Sequence, residues 1–88
     1  MAEVEIYTTP FCGFCARAKR LFNKKGVAYI EYDLSTDPGK RPEMLERSKG
    51  DRKVPQIFID GRHIGGCEEL FELDFDEELD PMLGIGAA

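Results

Sequence analysis

The chain of 88 residues has no tryptophan, one histidine and no apolar run that approaches the roughly 18 residues of a membrane-spanning helix. We therefore expect no membrane segment. Lysine and arginine are absent from residues 63–88, which hold eight acids, whereas residues 1–62 hold all 12 basic residues and nine acids. A net charge of −5 argues against a nucleic-acid partner, because such proteins present a clustered basic surface.

Cysteine is also scarce, with three residues in all. An odd number does not suit a disulfide-stapled secreted framework. The N-terminal residues show no basic segment followed by an apolar core, so we expect no secretory signal. These features favour the reducing cytoplasm, where a closely spaced cysteine pair is catalytic or metal-binding more often than structural.

The composition, 42% hydrophobic and 33% charged, is that of one folded domain over residues 1–88. Alternating polar and apolar residues predict a half-buried strand over residues 4–7. An amphipathic helix over residues 16–25 follows, with Phe14, Ala18 and Leu21 on its apolar side and Gly26 as its stop. Residues 27–33 predict a second strand, and this strand–helix–strand order is typical of a parallel pair.

The second half of the chain predicts a helix, a hairpin and a helical end. A helix begins near Gly39 or Lys40, and the apolar run 54–59 forms a strand that turns at Asp60-Gly61, a strong hairpin signal. Residues 67–73 form a helix, a last short helix contains Leu79, and residues 84–88 fray. The expected fold is therefore α/β, a four-stranded mixed sheet flanked by helices in the order β-α-β-α-β-β-α.

The chemistry-bearing motif is Cys12-Gly13-Phe14-Cys15, where a strand passes into a helix. Unpaired N–H groups and the helix dipole favour a negative thiolate on the first cysteine. The second cysteine lies one turn into the helix, close enough to form a disulfide with the first. This pattern predicts a redox pair.

Several separate motifs together resemble one family, the glutaredoxins, over the whole chain. In the family's order and spacing they are Cys12-Gly13-Phe14-Cys15, Val54-Pro55-Gln56-Ile57-Phe58-Ile59, Asp60-Gly61, Gly65-Gly66-Cys67 followed by two acids, and Leu79-Asp80-Pro81-Met82-Leu83. The resemblance implies a thioredoxin fold. It also implies thiol–disulfide exchange with glutathione as co-substrate, glutathionylated or disulfide-containing proteins as partners, and glutathione reductase as the indirect electron source.

The resemblance also assigns roles to residues. Cys12 would be the nucleophile, Cys15 the resolving thiol, and Pro55 a cis residue facing the sulfurs. Glutathione would pair with Val54 and meet the segment after the hairpin, so that its contacts are expected at Thr9, Phe14, Lys53, Val54, Pro55, Gly66, Cys67 and Glu68. Cys67 could instead pack in the core or act as a third redox thiol. Phe11 and Phe14 could form an apolar rim or pack in the core.

Four features depart from the family pattern. Gly13-Phe14 replaces the usual Pro-Tyr, Thr9 stands where a cation is common, and Lys53 replaces a threonine. Glu68 and Glu69 are longer than the usual aspartates. These positions bear on glutathione affinity and redox potential, not on the fold or the reaction class.

Other interpretations stay open at this point. Cys12, Cys15, His63 and Cys67 could supply four zinc ligands, although the two halves lie much further apart than the roughly 12–20 residues of compact zinc motifs. Related proteins with Gly-Phe between the cysteines suggest a [2Fe–2S] cluster shared by two subunits. Reduction by thioredoxin reductase is a further alternative. We expect a monomer with no resident metal and His63 as an ordinary hydrogen-bonded or surface residue.

Overall fold

The computed structural model describes residues 2–85. Four strands form one sheet in the order β2-β1-β3-β4, with β1 parallel to β2 and antiparallel to β3, and β3 antiparallel to β4. This confirms the predicted mixed sheet, and the last element of the described residues is the expected short helix. The elements are β1 (Val4–Thr8), α1 (Gly13–Lys24), β2 (Ile30–Asp33), α2 (Lys40–Arg47), β3 (Gln56–Ile59), β4 (Arg62–Gly65), α3 (Cys67–Phe75) and α4 (Leu79–Leu83).

Helices cover both faces of the central strands. Val4 and Ile6 of β1 pack in one cluster with apolar residues of α1, α3 and α4, while Tyr7 packs in a second cluster with Met44 of α2. All five residues of β1 are buried. The prediction of a half-buried strand is therefore wrong, since β1 lies between two layers. In residues 2–85, no helix combines the length and apolar character needed to cross a membrane.

Glu5 explains why the alternation of polar and apolar residues in β1 does not mark an exposed face. Its carboxylate accepts two hydrogen bonds from the Arg47 guanidinium at 2.9 and 3.0 Å and one from the Tyr32 hydroxyl at 2.9 Å. The guanidinium lies 4.0 Å from the centre of the Phe58 ring. A charged residue in a strand looks solvent-facing, but here it is satisfied by a partner 42 residues later in the chain.

Two predicted strands begin later than expected. β2 begins at Ile30 and not at residue 27, because the Val27 N–H bonds to the Phe22 carbonyl (3.0 Å) and closes the end of α1 after Gly26, whose φ is 70°. β3 begins at Gln56, directly after the cis bond between Val54 and Pro55. Helix α1 begins earlier, at Gly13 and not at residue 16.

The turn at the hairpin is confirmed, and the expected fraying is in part wrong. Asp60 and Gly61 both have positive φ (51° and 77°), as a type I′ turn requires. Gly84 ends α4 with φ 73°, and the N–H of Ile85 bonds to the Asp80 carbonyl at 3.0 Å, which is an ordered helix cap. Residues 86–88, to which the fraying prediction also applies, lie outside the described residues.

Candidate active site

Cys12 lies where β1 passes into α1, and it is the N-cap residue of the helix. Its backbone is extended (φ −100°, ψ 111°), and its sulfur accepts a hydrogen bond from the Cys15 backbone N–H at 3.2 Å. The side chain is partly exposed. An N-cap sulfur faces the unpaired N–H groups and the positive end of the helix dipole. The predicted placement of the first cysteine is confirmed, and the geometry suits a sulfur that carries negative charge.

Cys15 occupies the opposite environment. Its side chain is only 2% exposed. Burial, together with the neighbouring Cys12 sulfur, raises the pKa of its thiol to about 12. Cys15 therefore stays a protonated thiol near neutral pH, and the accessible member of the pair is Cys12.

Phe11 and Phe14 flank the cysteine pair and both stand in solvent. Phe11 is fully exposed on the turn before Cys12, with a φ of 61°, and Phe14 is 60% exposed on the first turn of α1. The predicted apolar side of the helix is wrong at Phe14, and core packing is excluded for both rings. Phe14 instead forms part of a groove beside the sulfurs.

The opposite wall of the site is the segment that contains the cis proline. The Val54 carbonyl oxygen lies 3.8 Å from the Cys12 sulfur, and the Val54–Pro55 peptide bond is cis, as the resemblance implied. A groove beside this wall gathers most of the predicted contact residues, and it is here called the glutathione groove after the co-substrate that the resemblance implies. It is lined by Phe14, Lys53, Val54, Pro55, Gly66, Cys67, Glu68 and Glu69.

Thr9 and Cys67 differ from the other predicted site residues in their position or exposure. Thr9 is not among the residues that line the glutathione groove, and its backbone lies against the Cys15 sulfur instead. Cys67 lines the groove but is 6% exposed, and burial raises the pKa of its thiol. These properties favour packing for Cys67 over a third redox role.

Close backbone approach fixes the glycine segment at the end of the groove. A Cβ on Gly66 would lie 3.3 Å from the Pro55 carbonyl oxygen. The Gly66 N–H donates to the Glu69 carboxylate at 2.6 Å, so Glu69 caps the start of α3. Gly65 has a φ of 117°, a conformation that strongly favours glycine. The sequence identified Glu69 as an acid longer than the usual aspartate, and its capping role was missed.

A buried amide supports the segment before the cis proline and was also missed. Gln56 is 1% exposed. Its Nε2 donates to the Lys53 carbonyl at 2.9 Å, and its Oε1 lies 2.6 Å from His63 Nε2. Because an amide oxygen can only accept, His63 Nε2 is the donor in this contact. A glutamine inside an apolar strand is the one signal that could have indicated this network.

Metal binding by one chain receives no support from this arrangement. Among residues 2–85, no group of three or more His, Cys, Asp or Glu side chains is placed to hold a metal ion. The four residues of the zinc hypothesis are thus not brought together as a metal site. The shared [2Fe–2S] cluster would take Cys12 from each of two chains, so it stays a prediction.

An accessible cysteine at a helix N-terminus, a buried cysteine one turn later and a cis proline opposite them define a thiol–disulfide oxidoreductase of the thioredoxin fold. The Glutaredoxin family model matches residues 4–64. The chain is 52% identical over 83 residues to glutaredoxin 3 of Escherichia coli K12, covering 94% of this chain and 99% of that protein. It is 48% identical over 82 residues to a probable glutaredoxin of Synechocystis, covering 93% of each.

Solved structures with a similar fold are also glutaredoxins. The solution structure of glutaredoxin from Brucella melitensis superposes with a TM-score of 0.81 at 46% identity, covering 100% of this chain and 95% of that one. A buckwheat glutaredoxin–glutathione complex gives a TM-score of 0.84 at 34% identity over 92% of this chain and 76% of that one. The chain belongs to the glutaredoxin family.

Proposed function

We propose that this protein reduces glutathione mixed disulfides and protein disulfides with electrons from glutathione. The observation that carries the proposal is the unequal pair of cysteines, with an accessible Cys12 at the helix N-terminus and a buried, protonated Cys15 behind it. The similar buckwheat structure is a complex with glutathione, which supports the choice of co-substrate. We place the activity in the reducing cytoplasm and expect a monomer.

The main route uses Cys12 alone. The Cys12 thiolate attacks the glutathione sulfur of a glutathionylated protein, so that the protein thiolate leaves and Cys12 becomes joined to glutathione. The thiolate of a second glutathione then attacks the glutathione sulfur of that mixed disulfide. Oxidised glutathione leaves and Cys12 returns as a thiolate, which is stabilised at the helix N-terminus and is therefore a good leaving group. Each cycle consumes one free glutathione: its thiol is oxidised, the protein sulfur is reduced to a thiol, and the glutathione that was joined to the protein forms the other half of the oxidised glutathione.

Cys15 supplies a second route for protein disulfides. It must lose its proton and attack the Cys12 sulfur of a mixed disulfide, which yields the Cys12–Cys15 disulfide and the departing thiol. In the reduced protein burial and the Cys12 sulfur both oppose this ionisation. Once Cys12 is in a mixed disulfide it carries no charge, so its electrostatic opposition disappears and burial remains. Glutathione then reduces the intramolecular disulfide in two exchange steps.

The glutathione groove has charges suited to the two ends of glutathione. The exposed Lys53 lines the groove from the segment before the cis proline, and the exposed Glu68 and Glu69 line it from the first turn of α3. We place the glycine carboxylate near Lys53 and the γ-glutamyl ammonium near the acids, with the central cysteine against Val54. Lys53 would then replace the cation that Thr9 does not provide. In this arrangement the glutathione sulfur comes to the Cys12 side of the groove, because the Val54 carbonyl lies against the Cys12 sulfur.

The test is the reduction of a glutathionylated substrate coupled to glutathione reductase and NADPH. We expect turnover that persists in Cys15→Ser and in the matched control Cys67→Ser, and that is lost in Cys12→Ser. A parallel assay with thioredoxin reductase as electron source separates the reductants, and activity there alone would overturn the choice of glutathione. A brown, absorbing dimer after anaerobic purification, without turnover in either assay, would favour the shared cluster.

A further inference from the structure

A second groove runs between α1 and α3 and is continuous with the glutathione groove. We call it the α1–α3 groove. It is lined on the α1 side by Phe14 and Arg17 and on the α3 side by Phe71, Glu72, Phe75 and Asp76. It shares Phe14, Cys67 and Glu68 with the glutathione groove. Its volume is about 530 Å³, against about 170 Å³ for the glutathione groove, so it is the more spacious of the two.

The apolar part of the α1–α3 groove is unusually open to solvent. Phe75 is 88% exposed and Phe14 is 60% exposed. Phe71 is half-buried, and the Arg17 guanidinium lies 5.3 Å from the centre of its ring. Aromatic rings grouped on a concave surface are a mark of an interaction site, because each ring gains more from burial than from exposure.

The α3 side of this groove carries three exposed acids. Glu68, Glu72 and Asp76 recur at four-residue spacing, which places them along one side of α3 and its cap residue. None of the three takes part in the ion pairs formed within residues 2–85. Like charges at this spacing repel, and the last turn of α3 has no basic residue to balance its dipole. A cationic partner would reduce the repulsion between these acids and would also balance the dipole at the end of α3.

We propose that the α1–α3 groove docks a segment of the protein client that carries an apolar side chain flanked by Lys or Arg. This inference rests on the proposed function, because the client's disulfide must react at Cys12. Glu68 already faces the γ-glutamyl end of glutathione, so Glu72 and Asp76 are the acids that face the client. They lie roughly 6 Å apart along the helix, which an extended chain covers in about two residues. The apolar side chain packs between Phe14 and Phe75, and the cations of the client face the α3 side.

The test compares two glutathionylated peptides of one sequence, with either two Lys or two Glu flanking an apolar residue next to the modified cysteine. At low salt, about 50 mM, we expect kcat/KM to favour the basic peptide by about tenfold, and the preference to shrink as salt rises. The double variant Glu72→Lys, Asp76→Lys should reverse the charge preference. Phe75→Ser should lower kcat/KM for both peptides. The matched control Glu46→Lys, at an exposed acid on α2, should change neither result.

Cysteine–glutathione disulfide, a substrate with no flanking peptide, separates the two proposals. All variants of the groove should reduce it like the wild-type protein. Equal rates for the two peptides in the wild-type protein, or a basic preference that survives charge reversal, would overturn the docking proposal while leaving the proposed function intact.

If the wild-type protein does not reduce cysteine–glutathione disulfide, the proposed function is overturned instead. Binding of fluorescent basic and acidic peptides to Cys12→Ser protein then decides the docking proposal without any turnover. Sedimentation tests whether a second copy of the chain covers the groove. A wild-type dimer that Phe75→Ser converts to a monomer would show that a second copy covers the groove, and would overturn docking of a client there.

Discussion

The backbone N–H of Cys15 donates a hydrogen bond to the Cys12 sulfur over 3.2 Å, while the Cys15 side chain itself is 2% exposed. One residue thus stabilises charge on its neighbour's sulfur while keeping its own thiol protonated, since burial raises the pKa of Cys15 to about 12. Cys67 is buried as well, and its pKa is also raised by burial.

This difference predicts which cysteine is alkylated. At about pH 8 the native reduced protein should take up a single iodoacetamide group, at Cys12, because thiolates in solvent react and buried thiols do not. Mass spectrometry of peptides gives the position, and urea-unfolded protein should take up three groups. Native Cys12→Ser protein is the control and should remain unlabelled. Labelling of Cys15 or Cys67 at a comparable rate would contradict the assignment.

A second prediction concerns the ion pair beneath the central strand. Arg47→Met should lower the free energy of unfolding by about 2–4 kcal/mol, because the Glu5 carboxylate would stay buried without its partner. The matched control is Lys40→Met, which breaks the more exposed pair with Glu43 and should cost less than about 1 kcal/mol. Urea denaturation measures both. Similar losses in the two variants would show that burial of the Glu5 pair has no special weight.

The same pair predicts a pH dependence. Hydrogen bonds from Arg47 lower the pKa of Glu5 below its ordinary value of 4.5. Its contribution to stability is therefore fully present above about pH 4.5 and is lost as the pH falls through the lowered pKa. The pKa values of Asp33 and Glu43 are lowered too, by hydrogen bonds from Ser35 and Tyr7, so several groups make the wild-type protein less stable in acid.

Glu5→Gln isolates the contribution of one group. The free energy of unfolding of this variant should fall less steeply than that of the wild-type protein between about pH 5 and pH 3. Parallel curves over this range would mean that Glu5 does not titrate differently in the folded and unfolded chains.

The glycine segment gives a fourth prediction. Gly65→Ala should lower the free energy of unfolding by about 2 kcal/mol, since its φ of 117° disfavours alanine and its Cβ would lie 2.8 Å from the Glu69 carboxylate. Gly13→Ala is the matched control, because a Cβ there meets nothing within 4 Å. Thermal unfolding should show a lower Tm for the first variant and an unchanged or higher Tm for the second. Equal Tm values would show that Glu69 moves aside without cost.

The fifth prediction tests the support for the wall opposite Cys12. Gln56→Leu removes the donor to the Lys53 carbonyl and the acceptor for His63. The segment before the cis proline then loses its anchor, so KM for a glutathionylated substrate should rise several-fold with a smaller change in kcat. His63→Phe keeps an aromatic ring against Phe58 and leaves the Lys53 contact in place, and its KM should change little. A Gln56→Leu enzyme with wild-type KM would exclude a positioning role.

The features that depend on neighbouring residues could be predicted from the sequence. The cysteine pair at a strand–helix junction, Gly26 after the first helix and the turn at Asp60-Gly61 each depend on neighbouring residues, and each lies where it was predicted. The mixed sheet followed, since the helix between the first two strands requires a parallel pair and the short turn an antiparallel one. The family resemblance supplied the cis proline, which no local rule predicts.

The errors have a common physical cause in contacts between distant residues. Glu5 looked exposed because its partner Arg47 comes 42 residues later. The sequence left open whether Phe14 packs in the core or forms an exposed rim, because helical spacing alone does not tell which side of a first turn faces the sheet. The roles of Gln56 and Glu69 depend on the path of the backbone around the cis proline and Gly66, which no spacing rule describes.

The charge asymmetry of the chain has a consequence for its folding cooperativity. Lys25, at the end of α1, holds Asp74 of α3 at 2.7 Å and Asp80 of α4 at 2.6 Å. Among the described residues, these two contacts are the only ion pairs that join the acidic last third to the rest of the chain. A single ammonium group thus ties the last two helices to the first, in addition to the apolar cluster that they share. Neutralising it should make local opening of α3 and α4 more frequent while the shared core keeps the domain one cooperative unit.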